Sequence, residues 1–150
     1  MSYDIQRRQI VSDAIQQNGN SVARAVWEVG SMTIEQCYQA MGGDYAQMLR
    51  RTQGAHRVRK YLEMFLKDDS FAQLCRILEQ GDREEAFQAA ITLKGVSGNL
   101  SFTRLCDAAS ALAEALHQGQ TDPTPQLEQV RQAYQDTVDA IRLCLELPES

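Results

Sequence analysis

Proline is scarce in this chain. Its three copies, Pro123, Pro125 and Pro148, all lie toward the C-terminal end of 150 residues, so most of the sequence is free of the residue that breaks helices. Strand signals are few. No run approaches the ~18 apolar residues of a membrane helix, and the opening "MSYDIQRRQIVSDAIQQNGNS" has no apolar core of the signal-peptide type; a cytoplasmic protein is expected. Positive charge is not in excess: the net charge of −5 argues against a general nucleic-acid binder. A glycine-rich phosphate loop, a metal-binding His pair and a nucleophile elbow are all missing, and no cofactor is expected. The four cysteines, Cys37, Cys75, Cys106 and Cys144, are widely spaced with no Cys-x-x-Cys pair. They read as reduced residues of the core or its boundary. A zinc site is not expected, since only His56 and His117 could add nitrogen ligands.

Helical periodicity dominates what remains. A chain of this length favours one domain and buries roughly 70% of the surface of the unfolded chain. The last helix is the clearest: Leu127, Val130, Tyr134, Val138, Ile141 and Leu145 recur at spacings of three and four, with Thr124 as the expected N-cap and Pro125 at the first helical position. Helix starts are read at Thr33/Gln36, Asp44/Gln47, Ser70/Gln73 and Asp82/Glu85, each a small polar residue followed three positions on by Glu or Gln. A further start is read at Ser101, and stops at Gly42–Gly43, Gly54, Gly81 and the stretch 118–124,. Core stripes follow: Val58, Leu62, Phe65 and Leu66; Phe71, Leu74, Cys75 and Leu78; Ala86, Ala90, Leu93, Ser97 and Leu100; Leu105, Ala108, Ala109, Leu112 and Leu116. Long stripes on short loops predict an all-α fold, an up-and-down antiparallel four-helix bundle. Residues 1–31 read as a separate N-terminal extension with additional helices, around Ile10–Ile15 and Val22–Val29, residues 32–146 as the bundle, and 147–150 as a tail.

One stretch breaks the pattern. In "AAITLKGVSGNLSF", residues 89–102, a rotation of about 100° per residue puts Ile91 nearly opposite the core residue Leu93. Phe87, Ile91, Gly95 and Gly98 form a second stripe on the outward side, flanked by Gln88 and Lys94. Two glycines within a helix cost about 1 kcal/mol each relative to alanine, and close approach of another backbone is one reason to carry them. Such a stripe reads as a docking surface, either for a separate protein or for the N-terminal segment of the same chain.

The residues around it carry a resemblance. "AAITLKGVSGNLSFTRLCDAASALAEALHQG" resembles the histidine-containing phosphotransfer (HPt) domain, the phosphoryl-carrying module of bacterial two-component phosphorelays. The family shows Ala-His-Thr-Leu-Lys-Gly, a run of small residues, Asn-Leu-Gly and then a helix rich in Ala, Leu and Glu. The upstream "YLEMFLKDDSFAQLCRILEQGDREEAFQAA" resembles its preceding helices, and the likeness spans roughly residues 32–146. Lys94 matches the lysine beside the phosphoryl group, Gly95 the glycine that lets a receiver domain approach, and Asn99 and Leu100 match directly. Ser101 stands where the family has glycine, and Ile91 stands where it has the phosphoacceptor histidine.

Phosphoryl transfer in that family needs an imidazole nitrogen to attack and carry the group. Isoleucine has no lone pair to offer, and Lys94 alone supplies attraction without a nucleophile. The resemblance therefore implies a module with no catalytic residue, which binds a response-regulator receiver or a sensor-kinase component through Phe87, Gln88, Ile91, Lys94, Gly95 and Gly98, with no role for nucleic acid or membrane. Two other readings stay open. One is an active carrier using His117 or His56; the other is a self-associating scaffold whose homodimer forms through the N-terminal extension. The basic segment of Arg50, Arg51, Arg57, Arg59 and Lys60 reads as a solvated face or a contact for an acidic partner.

Overall fold

A computed structural model describes residues 32–119 and 122–145, and among them every regular element is an α-helix. In chain order these are α1 (Ile34–Met41), α2 (Tyr45–Thr52), α3 (Ala55–Leu66), α4 (Ser70–Gln80), α5 (Arg83–Asn99), α6 (Thr103–His117) and α7 (Thr124–Leu145). The expected N-terminal helices of residues 1–31 and the tail 147–150 lie outside the described residues. Helices α4 to α7 form the antiparallel four-helix bundle. Gly98 faces Cys106 and Phe87 faces His117 across the α5–α6 pair. Arg104 reaches Asp136 between α6 and α7, and the Phe71 and Tyr134 rings stack at 4.3 Å where α4 meets α7.

The expected stripes point inward. Ala86, Ala90, Leu93 and Ser97 of α5 and Leu105, Ala109, Leu112 and Leu116 of α6 are buried. Alanines along α5 let its neighbours approach closely, and the α5–α6 contact is the most extensive among the described helices. Of the α4 stripe only Leu74 is fully buried, whereas Phe71, Cys75 and Leu78 sit at its boundary. Cys37 and Cys144 are buried, and Cys75 and Cys106 are half-buried, all four as free thiols.

Helix α7 has 22 residues against 15 in α6, so at 1.5 Å per residue it overshoots its neighbour by about 10 Å. That overhang is covered by α1, which leaves Thr137, Val138, Ala140, Ile141, Leu143, Cys144 and Leu145 buried on more than one side of the helix. Helices α1 and α2 thus form a collar over the end of the bundle where α5 passes into α6. Their Gly42–Gly43 turn locks to the α5–α6 connection by two backbone bonds, Asp44 N–H to the Ser101 carbonyl at 2.8 Å and Arg104 N–H to the Gly42 carbonyl at 3.0 Å. A line of rings runs from the collar into the bundle: Tyr45, Tyr38, Phe102, Phe65, Tyr134 and Phe71, with successive centroids between 4.3 and 5.9 Å apart. The Tyr38 hydroxyl donates to the Leu100 carbonyl at 2.8 Å, and burial pushes this phenol above its ordinary range.

Helix caps separate what local chemistry dictates from what it does not. Thr33 and Gln36 make the reciprocal capping box, and Asp44 and Asp82 cap α2 and α5 through the N–H groups of Gln47 and Glu85. The start of α4 differs from expectation. Asp69 holds the N-cap position, Ser70 is already helical, and its N–H is taken by the Asp68 carboxylate at 2.8 Å. Helix α6 starts at Thr103 after Phe102, because Ser101 belongs to the tight connection. Helix α7 begins with Thr124 inside the first turn, where Asp122 accepts its N–H at 3.0 Å. In each case a neighbouring acidic side chain or a tertiary contact displaced the expected cap by one or two residues.

The collar turn has no spare volume. A Cβ on Gly43 would stand 2.7 Å from the Tyr38 ring and 2.8 Å from the Ser101 carbonyl oxygen. Gly43→Ala is therefore expected to destabilise the fold by about 1–3 kcal/mol, measured as a lower denaturation midpoint in urea; an unchanged midpoint would refute the collar's tight docking.

Candidate functional site

The buried stripe of α5 fixes the rotation of that helix and hence which residues it presents to solvent. Leu93 is fully buried, and Ile91, two positions earlier, is 39% exposed. Gln88, Thr92, Lys94, Gly95 and Asn99 are exposed on the same outer side. At Gly95 an added Cβ would meet no atom of the described residues within 4 Å, so among them the helix backbone is bare at this point. Lys94 forms no ion pair among the described residues. Local bonding satisfies the hydroxyls of α5: Ser97 Oγ donates to the carbonyls of Leu93 at 2.7 Å and Lys94 at 3.2 Å, and Thr92 Oγ1 donates to that of Gln88 at 3.1 Å.

Two residues expected in the outward stripe are placed on its flank instead. Gly98 is half-buried against α6, where its Cβ position lies 3.3 Å from Cys106 Sγ. Phe87 is also half-buried; it packs against the core, and its ring meets that of His117 at 5.3 Å with a 32° tilt. The helical angle of each residue leans toward α6, and only the position of α6 made that lean into burial. Ile91, Gln88, Lys94 and Gly95 remain as the exposed set.

His117 therefore lies across the helix pair from Phe87, one turn of α5 before Ile91, at the rim of an open cleft with Arg83, Glu84, Gln88 and Leu116. Arg83 donates to the carbonyls of Leu116 and Ala115 at 3.3 and 3.4 Å, close to that imidazole. His56 is exposed in the first turn of α3.

Tyr61 and Met64 were not among the residues singled out, although their place off the Val58–Leu62–Phe65 stripe was readable. They are 42% and 63% exposed, and with Ile91 they are the exposed large hydrophobic residues of the described chain. Both border a small cleft whose other wall is Val96 and Asn99 of α5 and Leu100 just after it. The apolar surface that the described residues leave uncovered thus flanks the helix stretch that contains Gly95.

The C-terminal end of this helix is held from outside. Arg51 Nη1 donates to the carbonyls of Gly98 at 2.6 Å and Asn99 at 3.3 Å. Its cation also complements the negative end of the helix dipole. Ser101 takes a left-handed conformation, φ 61°, which glycine adopts at little cost and other residues at about 1–2 kcal/mol. Its hydroxyl donates to Gln47 Oε1 at 2.8 Å and accepts from Arg51 at 3.3 Å. One member of the basic segment is accordingly a helix-end ligand rather than free surface, and Arg59 forms an exposed pair with Glu63 at 3.5 Å.

Because nothing stands over Gly95, Gly95→Ala should raise stability by about 1 kcal/mol through helix propensity, in contrast to Gly43→Ala. A fall in the thermal midpoint would show that α5 is packed on that side.

No characterised protein and no solved structure gives a significant match to the chain. The family model described as the Hpt domain matches residues 60–144, more than half the sequence, from the middle of α3 to the end of α7. Hpt domains work in phosphorelay signalling, as phosphocarriers rather than enzymes, and interact with response regulators and kinases. No helix among the described residues is long and apolar enough to cross a membrane. With its bundle built from α4–α7 and the match running through all four of those helices, this chain belongs to the Hpt-domain family.

Proposed function

We propose that this protein is a pseudo-phosphotransfer module: it binds the receiver domain of a response regulator and carries no phosphoryl group of its own. The observation that supports this reading is the side chain at the outer face of α5, where Ile91, 39% exposed, stands between Gln88 and the Lys94–Gly95 pair. A carbon–hydrogen surface cannot attack an aspartyl phosphate. It can be buried by a partner, and covering its exposed fraction contributes about 1–2 kcal/mol, comparable to a hydrogen bond to a charged group. Tyr61 and Met64 extend the apolar area, Gly95 allows the partner's backbone close, and Lys94 offers a cation to the acidic pocket in which a receiver holds its phosphoryl group.

Residues 32–146 act in this reading as one unit, because the collar of α1 and α2 holds the end of the docking helix. The receiver is favoured over a sensor-kinase component as partner. Transfer through His117 is the competing reading, since its ring meets that of Phe87, one helical turn before Ile91, and it lines the same cleft as Arg83. Homodimerisation through residues 1–31 concerns a segment outside the described residues.

Titration against receiver domains from the same cell tests the proposal. Ile91→Asp and Gly95→Arg should each weaken binding about 10–100-fold, the equivalent of about 1.4–2.8 kcal/mol, while helical content stays unchanged; receiver affinity indifferent to both would refute the docking face. Incubation with a phosphorylated receiver should leave the natural chain unlabelled and give the Ile91→His variant an acid-labile phosphate. Label on the natural chain that disappears in His117→Asn would replace this reading with the active-carrier one.

A further inference from the structure

Cations gather on one edge of a protein that is otherwise acidic. Residues 50–67 hold Arg50, Arg51, Arg57, Arg59, Lys60 and Lys67 against the single carboxylate of Glu63, in a chain of net charge −5. Two of these cations are engaged, Arg51 at the end of α5 and Arg59 with Glu63. Arg50, Arg57, Lys60 and Lys67 are exposed and form no ion pair among the described residues. Local helix chemistry gives no reason for this arrangement. The first turn of α3 contains no acidic residue and places His56 and Arg57 at the positive end of the helix dipole, where a cation is disfavoured.

Spacing puts these charges beside apolar surface. Arg57, Lys60, Tyr61 and Met64 stand at i, i+3, i+4 and i+7, one face of α3,. Tyr61 and Met64 line the cleft of about 220 Å³ that α3 shares with Val96, Asn99 and Leu100. Asp68 closes that cleft toward α4, its carboxylate taken by the Ser70 N–H at 2.8 Å. Val96 and Asn99 follow Gly95 on α5. A partner element that crosses the helix at Gly95 toward α3 therefore meets Met64 and Tyr61 next, with Arg57 and Lys60 on the same face. The neighbouring cleft between α4 and α5 carries no cation, and its walls include Asp69 and Glu85. Charge thus distinguishes the α3 end of this side of α5 from the α4 end.

We propose that α3 selects which receivers this module accepts: the docked element is amphipathic, sets apolar side chains against Tyr61 and Met64, and carries carboxylates at its edge that face Arg57 and Lys60. The inference rests on receiver docking at α5, and adds to it a second contact helix and the chemistry of the partner. Charge complementarity argues for this occupant. An acidic partner is repelled by the negative excess over the rest of the chain and attracted to this one edge, so the field of the protein orients the encounter. Exposed charges at the rim of an interface act mainly on the association rate and its salt dependence, whereas apolar contacts buried within it act on dissociation. The α3 face carries both kinds of group, so its cations and its apolar residues are separable by kinetics.

The experiment measures association and dissociation rates of the full chain with receiver domains from the same cell across a salt series, in which the screening length falls from about 30 Å at 0.01 M to about 3 Å at 1 M. Arg57→Glu combined with Lys60→Glu should slow association about tenfold at low salt and flatten its salt dependence, with dissociation nearly unchanged. Met64→Ala should instead speed dissociation about 5–10-fold. Arg131→Glu, a charge reversal on α7 away from the cleft, should leave both rates as they are. Association indifferent to the paired reversal, while Ile91→Asp still weakens binding, would overturn the inference and leave receiver docking standing. Failure of the natural chain to bind any receiver at any salt would overturn the docking reading, and this inference with it. The free chain supplies the remaining check. Arg57→Glu puts an acid in the first turn of α3, so the melting temperature of the paired variant should hold or rise. A fall in that temperature, or a change of mass in light scattering, would show that the cations already hold another part of this chain or a second copy, and would overturn the inference.

Discussion

Everything about the outer face of this protein follows from the way α5 is clamped. Ala86, Ala90, Leu93 and Ser97 occupy one side of that helix and are buried between α4 and α6. Once that side is committed to the core, the 100° step of the helix leaves no freedom for the remainder: Ile91, Gln88 and Gly95 must face solvent. A buried leucine and three small residues therefore decide the exposure of an isoleucine that would, by its own hydrophobicity, be better buried. The described residues leave that side chain uncovered, alongside Tyr61 and Met64, and a glycine stands within the same helix at a cost of about 1 kcal/mol.

The clamp acts along the length of the helix, and the collar acts at its end. An α-helix finishes with four carbonyls lacking intrahelical partners. Here they are met by the Arg51 guanidinium, the Tyr38 hydroxyl and the backbone of the connection. Ser101 holds a left-handed conformation that its own side-chain bonds help to sustain. The Arg51, Tyr38 and Gln47 contacts come from helices lying before the start of the family match at residue 60, so the segment outside the match stabilises a part inside it. The aromatic line from Tyr45 to Phe71 serves the same union with large buried surfaces rather than charges.

In a family of phosphocarriers, the outer face of α5 here presents Ile91, a side chain without nitrogen or oxygen. The contrast between Gly95 and Gly43 shows how differently the same residue type can serve. At Gly95 the missing Cβ opens space toward solvent, and at Gly43 it makes room for Tyr38 and a carbonyl oxygen. The first lies on the outer face of α5 proposed for docking, and the second in the joint that keeps the collar in register.

The sequence by itself determined the helices, their inward stripes and the outward place of Ile91, because these depend on periodicity and nearest neighbours along the chain. Thr33, Asp44 and Asp82 announced their helix starts for the same reason, whereas Ser70 and Thr124 were displaced by acidic side chains a residue or two away. The tertiary structure alone decided that Phe87 and Gly98 tilt under the edge of α6, that Arg51 is a helix-end ligand, and that Tyr38 reaches the Leu100 carbonyl. Each of those depends on where a second helix comes to rest across many residues of chain. No local spacing encodes that position; it is set by the summed burial of every stripe at once.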